Sequence, residues 1–473
     1  MSATDAAPRK GWTLVLVSLG LFMSSLDTLV VSTAVPVIRR DLGASLADLE
    51  WTVNGYNLAF ACLLLTGAAL GDRFGRRRMF VLGTLGFTAA SAAAALAPTI
   101  GALIAARAVQ GGTAALVMPL TLTLISEAFP AEKRGAAIGL WGGISGLGVA
   151  AGPVVGGAIA DGADWRWIFW VNVPIGLVIA PLAARFLTES HGPRPQLDLL
   201  GLVLAAAGLF GLTWGLVRSD TAGWGSGEVA GSLAAGVVLV GLFLLWQRRA
   251  AYPMVPPRLF GFRGFAAADG VVFFTFACLF GSLFLLSQFF QVGLGLSPLE
   301  AGLRILPWTA TPMLVAPVVG ALADRHGNRP FMLAGVLMQA AGLAWVALIV
   351  SPGVSYGWLC AALVLAGVGI SMTFPTVATE VMTSVPLREA GVASGVNSAI
   401  REVGGVFGVA LAAVVFGAHG GYGSPREFTD GLVPALWTAA GLSACGAVAA
   451  AFVPRRLRRP AGNVVRVPQT VAD

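Results

Sequence analysis

Two ionisable residues stand where charge is costly. Asp27 lies among Leu26, Leu29 and Val30 in one long apolar run, and Arg107 lies in another that begins near Ile100. A bare carboxylate at that depth costs several kcal/mol, so Asp27 must be protonated, paired or turned towards a water-filled cavity. Counted from the same membrane face, the two sit about ten and about seven residues deep, close enough in level to pair. A carboxylate that meets an arginine in one conformation and loses it in another binds and releases a proton in step with the movement. That is a proton-coupling site; a static ion pair between helices is the competing reading.

Further patterns could position or gate such a site. Asp72-Arg73-Phe74-Gly75-Arg76-Arg77 forms a short charged loop between two apolar runs, where Asp72 could join the two halves through charge and helix-dipole contacts in one conformer only. Gly148, Gly152, Gly156 and Gly157 place small residues at four-residue spacing beside Pro153. Such spacing lets helix backbones approach closely, and the proline removes one intrahelical bond. Gln110, Arg401 and Glu402 are candidate cavity residues; about 100° of helix separates the last two, so they are expected not to pair. Ser297-Pro298-Leu299-Glu300 reads as a capping box with Arg304 four residues on, predicting an ion pair at a helix start. Asp269 stands about five residues into its run and is expected to reach the cytoplasmic surface, a site role being the less favoured alternative, and Glu127 and Glu380 are expected at the inner interface.

The elements that must hold these residues follow from composition. Of 473 residues, 56% are hydrophobic and 11% charged, where a soluble domain carries roughly 25% charge. That excludes a water-soluble globule. The 62 glycines follow no three-residue period, and the apolar runs of roughly 20 residues do not alternate in polarity, so the spans are helices. Fourteen are counted, from roughly 12–36 to roughly 432–453. The first is too long for a signal-peptide core and is read as retained. Four cysteines far apart exclude a disulfide framework, and three scattered histidines give no metal site or catalytic cluster. Neither a cofactor nor an enzymatic activity is expected.

With both termini inside, 22 of the 30 Lys and Arg fall in inner loops and tails, five in outer loops and three within spans. This bias fixes the orientation and favours an even span count. The net charge of +7 is therefore topological and needs no nucleic-acid partner; the tail at Arg455, Arg456, Arg458 and Arg459 is a basic anchor on anionic lipid.

The chain also repeats itself. Asp324-Arg325-His326-Gly327-Asn328-Arg329 restates the Asp72 loop 252 residues later, and Pro130, Gly135, Gly139, Gly148 and Gly152 recur as Pro386, Gly391, Gly395, Gly404 and Gly408 at an offset of 256. Spans two and ten then correspond, as do five and thirteen. The expected organisation is a six-helix bundle over 1–190, two inserted helices over 191–260, a second six-helix bundle over 261–454 and a basic cytoplasmic tail over 455–473.

On these residues the chain resembles the major facilitator superfamily, in its fourteen-span drug:proton antiporter branch. The carriers are Leu26-Asp27-Thr28 running to Ala34-Val35-Pro36, the Leu70–Arg78 loop, Arg107 with Gln110 and Gly111, and the Gly148–Gly157 pattern. Asp164-Trp165-Arg166-Trp167 through Asn172 and Pro174 resembles the branch's sixth-span entry. Ala68 replaces the usual first glycine of the loop motif, and Glu402 follows Arg401 where Gln is commoner. The resemblance implies a gating latch at Asp72, Arg73, Gly75, Arg76, Asp324 and Arg325. It also implies an exporter-type helix at Gly148–Gly157 that seals the halves against leak, and proton coupling at Asp27 and Arg107.

The function expected is export of a small amphipathic or hydrophobic compound against protons, by a monomer spanning the inner membrane of a bacterium. Heavy Ala and Gly use with 28 Arg against two Lys suggests a GC-rich bacterial genome. Uptake by symport is the alternative within the same fold, and the fifth-span pattern argues against it.

Overall fold

In hydrocarbon the backbone N–H and C=O groups have only each other to bond, so long apolar runs become helices. The computed structural model describes residues 3–129, 131–191, 198–386 and 389–455. The α-helices are α1 (Ala3–Leu42), α2 (Leu46–Phe74), α3 (Arg76–Ala95), α4 (Ile100–Ala128), α5 (Ala131–Gly162), α6 (Trp167–Trp170), α7 (Asn172–Phe186), α8 (Leu199–Ala222) and α9 (Gly227–Gln247). They continue as α10 (Arg263–Gln288), α11 (Pro298–His326), α12 (Asn328–Ile349), α13 (Tyr356–Ser384), α14 (Ala390–His419) and α15 (Pro425–Ala451).

Among the described residues twelve helices are long and apolar enough to cross a membrane, or thirteen if α2, bent by 50° between Ala47–Leu64 and Thr66–Phe74, is one span. The broken pair α6 and α7 counts once, as Trp167–Phe186. The figure departs from the expected fourteen because α2 bends, and because many side chains of the 32-residue α5 lie outside the described residues. Pro130, the tail residues Arg456, Arg458 and Arg459, and the side chain of Asp324 also lie outside them.

Local chemistry sets the helix ends. Ser45 with Asp48 and Ser297 with Glu300 close full capping boxes, and Thr99, Ser226 and Ser424 cap α4, α9 and α15. The two loop-motif glycines, Gly75 and Gly327, take φ of 104° and 84°, a backbone that side chains disfavour and that turns α2 into α3 and α11 into α12. Arg304 does not pair with Glu300. Its guanidinium lies 4.9 Å over the Tyr356 ring, while Glu300 spends its carboxylate on the Ser297 N–H.

The repeat is built twice. α5 lies on α1 through Gly148 and Gly152, against the carbonyls of Phe22 and Leu26; α14 lies on α10 through Gly404 and Gly408, against those of Phe273 and Ala277. Between the two helix sets, α5 meets α11, α2 meets α14 and α1 meets α10, so each bundle offers the counterpart of what it receives. α8 and α9 pack on one another beside the α2–α14 seam, where Trp51 meets Phe210 and Trp214.

Apolar packing differs between the two faces. On the face away from Gly75 and Gly327, one continuous core runs through both helix sets, from Val31, Val35 and Phe169 to Leu286, Ile305 and Phe416. On the loop-motif face there are two separate cores. One, around Phe80, Leu120 and Ile179, uses α1–α7 only; the other, around Phe265, Met332 and Val381, uses residues after Val255 only. The halves are therefore fused on the far face and parted on the loop-motif face.

Candidate functional site

α1 carries Asp27 into the space between α4 and α7, where the side chain is fully buried. Arg107 Nη1 stands 2.5 Å from Asp27 Oδ2 and 2.6 Å from Gln110 Oε1. Asp27 Oδ1 accepts from Gln110 Nε2 and Asn172 Nδ2, each at 2.8 Å, and Gln110 donates on to Ser91 at 2.8 Å. Arg107 Nε donates to the Thr52 carbonyl at 3.2 Å, and its guanidinium lies 4.3 Å over the Tyr56 ring. A buried ion pair persists only if its remaining lone pairs and protons are satisfied, and this one is satisfied by amides, a carbonyl and an aromatic face. Glycine at position 111 lets α4 reach the Tyr56 backbone and sets the guanidinium at that depth.

The expected pairing of Asp27 with Arg107 is present. Gln110, expected as a cavity residue, is instead buried at 0% exposure inside the network. Asn172 and Ser91 join the network without having been expected from the sequence. The signal available was a polar side chain in an apolar run, and a run of sequence does not say which helix it will face.

The loop motif closes within its own bundle. Arg76 donates to Asp72 at 2.7 and 2.9 Å and also pairs with Glu127 of α4. Glu189 accepts from the backbone N–H groups of Arg77 and Arg78 at 2.9 and 3.2 Å, a carboxylate on the N-terminus of α3. Arg73 rests 5.1 Å over Phe74, and Arg325 is exposed. In the repeat, Asn328 replaces Arg76 and donates to Glu380 at 2.8 Å, as Arg76 does to Glu127. Glu127 and Glu380 thus tie each motif to the helix beside it.

Gly156 reaches the Val30 backbone on α1, while Gly157 and Pro153 meet α11 at Pro298 and Gly302. Pro153 and Gly157 of the exporter-type pattern therefore lie in the far-face seam, while its other glycines pack on α1. Ser287 Oγ donates to the Ser32 carbonyl at 2.9 Å and Gln291 Nε2 to the Thr33 carbonyl at 2.8 Å, where α10 ends in a π turn over Phe289–Gly293. Arg39 lies 3.8 Å over Tyr422 on the same face.

Arg401 and Glu402 do pair, at 2.9 Å, against expectation. The 100° between their Cα–Cβ directions does not prevent a long guanidinium from curling to its neighbour. The Arg401 guanidinium also lies 5.4 Å over Phe276 and reaches Met118 Sδ of α4 at 3.7 Å, so the pair stands where the two bundles face each other. Phe276 stacks with Phe280 at 6.0 Å and meets Phe374 at a tilt at 6.1 Å, giving that wall an aromatic surface. Asp269 does not reach the surface: it is 3% exposed and accepts from Asn397 Nδ2 at 2.7 Å.

Comparison with known proteins identifies the family and the fold. The sequence matches the family model described as Major Facilitator Superfamily over residues 17–409 and 268–471. It is 34% identical over 427 residues to the tetracenomycin C resistance and export protein of Streptomyces glaucescens, covering 89% of this chain and 79% of that one. It is 37% identical over 408 residues to the multidrug resistance protein Stp of Mycobacterium tuberculosis, covering 86% and 76%. Among solved structures, a peptide transporter POT in complex with sulfate superposes with a TM-score of 0.69 over 94% of both chains at 15% identity, a likeness of fold.

Proposed function

This chain belongs to the Major Facilitator Superfamily, and from that premise we propose that it exports a small hydrophobic or amphipathic compound in exchange for protons. It is a multi-pass helical protein of a bacterial inner membrane. In this reading it has fourteen spans, with α5 and the bent α2 among them, and both termini and the loop-motif face are cytoplasmic. It works as a monomer.

One observation carries the reading. Asp27 is sealed with Arg107 inside a single bundle, while the two bundles are fused on one face and parted on the other. When the conformational cycle loosens the guanidinium clamp, the carboxyl takes a proton and the compound is released outside. The Phe276, Phe280 and Phe374 wall beside Arg401 and Glu402 suits a planar aromatic compound. One net charge crossing 100 mV supplies about 2.3 kcal/mol, enough for a gradient of roughly 50-fold.

The test uses inverted membrane vesicles with an acid interior and ethidium as the probe. Ethidium should dissipate the pH gradient through the wild-type protein and not through Asp27→Asn. Equal dissipation by the variant would remove Asp27 from coupling.

A further inference from the structure

Asp269 is a second intramembrane acid, and the Asp27 network makes no use of it. Its Oδ1 has one donor, the Asn397 amide of α14, and its buried Oδ2 has no hydrogen-bond partner among the described residues. The surroundings are apolar: Phe265, Ala268 and Val272 of α10 are buried beside it.

No described cation neutralises it. Arg258, ahead of α10, is paired with Glu389 at 3.4 Å, and Arg263 is exposed on the first turn. Arg401 of α14 holds Glu402 at 2.9 Å, and Glu380 of α13 accepts from Asn328 and Ser384. α12 and α15 bear charge only at their ends, at Arg329 and at Arg426, Glu427 and Asp430. A buried carboxylate with one donor and no cation leaves a charge under-solvated, whereas the protonated acid leaves only one neutral O–H without an acceptor, which costs far less.

The repeat gives its place. The glycine contacts match Phe22 with Phe273 and Leu26 with Ala277, so Asp27 corresponds to Cys278 and Asp269 to Ser18. The two acids therefore stand at staggered levels on equivalent helices, about 14 Å apart in depth at 1.5 Å per residue, with Asp269 nearer the loop-motif face. We infer that Asp269 is a second proton-binding site, which holds a proton on Oδ2 in the conformation described and exchanges it during the transport cycle.

In the exporter direction a proton from far-side water forms the O–H bond at Oδ2, and that bond breaks again as the proton passes to water on the loop-motif side. No other reactant is consumed. Asn397 belongs to α14, the helix that also meets α2 of the other bundle, so the one hydrogen bond that holds the acid comes from a helix at the seam between bundles.

Infrared difference spectroscopy of the purified full chain in lipid at neutral pH tests protonation directly. The wild type should show a carboxylic-acid carbonyl band that Asp269→Asn lacks and that moves to higher frequency in Asn397→Ala. With membrane potential clamped to zero in proteoliposomes, the ethidium gradient should change about tenfold per pH unit for each proton exchanged, so the logarithmic slope should fall from two in the wild type to one in Asp269→Asn. The slope arm rests on the exporter reading and the infrared arm does not. Identical spectra for wild type and Asp269→Asn, or an unchanged slope, overturn the inference. So does failure of Asp269→Asn to fold as a monodisperse protein, since a neutral amide of the same shape fits where the acid is neutral. Unaltered transport by Asp27→Asn would sink the exporter reading while leaving the Asp269 band in place.

Discussion

Arg107 Nη1 lies 2.5 Å from Asp27 Oδ2, and neither side chain is more than 1% exposed. Removing one member of such a pair leaves the other buried without its countercharge, at a cost of about 3–5 kcal/mol, while replacing both by neutral groups is often close to neutral. Arg107→Leu should therefore melt well below the wild type in detergent, and the double variant Asp27→Asn with Arg107→Leu should recover most of the loss. Neither should exchange protons for probe. A double variant no more stable than Arg107→Leu would show that the carboxylate is not what the arginine stabilises.

Asn172 is the third donor to the same carboxylate and the contribution of α7. Asn172→Leu leaves Asp27 Oδ1 with Gln110 alone, and loss of one buried hydrogen bond to a charged group should cost about 1–3 kcal/mol. Thermal melting followed by size-exclusion chromatography measures it. Asn172→Asp should be worse, because it sets a second carboxylate beside the first.

Much of this arrangement is legible in the sequence. An acid and an arginine in separate apolar runs, each level with the other, have few neutral solutions besides meeting, and Asp27 and Arg107 meet. The repeated Gly75 and Gly327 announce two matching turns, and both adopt positive φ. What was not legible depends on rotation and on long flexible side chains. Counting residues from the start of its run fixes the depth of Asp269 but not which face of α10 turns inward. Arg401 and Glu402 were separated by helical angle alone, and the reach of a guanidinium overrode it.

Two hydrogen bonds stitch the far face across the bundles, Ser287 to the Ser32 carbonyl and Gln291 to the Thr33 carbonyl. At about 1 kcal/mol each, their loss in the Ser287→Ala, Gln291→Ala double variant should move the balance between conformers by at least roughly tenfold towards opening on that face. A cysteine at the buried Thr33 should then react faster with an impermeant maleimide applied from the far side. Unchanged labelling would show that apolar packing alone holds the seam.

Gly75 turns at φ 104°, and a Cβ built there would stand 2.7 Å from the Glu189 carboxyl carbon. Gly75→Ala should therefore strain the turn by about 1–2 kcal/mol and push Glu189 off the N-terminus of α3. Transport and melting temperature should both fall. Glu189→Gln should reproduce only the smaller, electrostatic part of the loss.

The far-face seam offers a cleaner separation of motion from folding. Gly302 of α11 fits directly against the Pro153 and Val154 backbone of α5, and backbone cannot swing aside as a side chain can. Gly302→Leu should leave each bundle's own core intact, because this contact lies between bundles, but prevent the seam from closing. The variant should reach the membrane at normal levels and melt near the wild type. It should show high far-side labelling at a cysteine replacing Thr33, and exchange no probe. Normal transport would mean that the seam closes without α5 and α11 touching there, and would withdraw the sealing role assigned to Pro153 and Gly157.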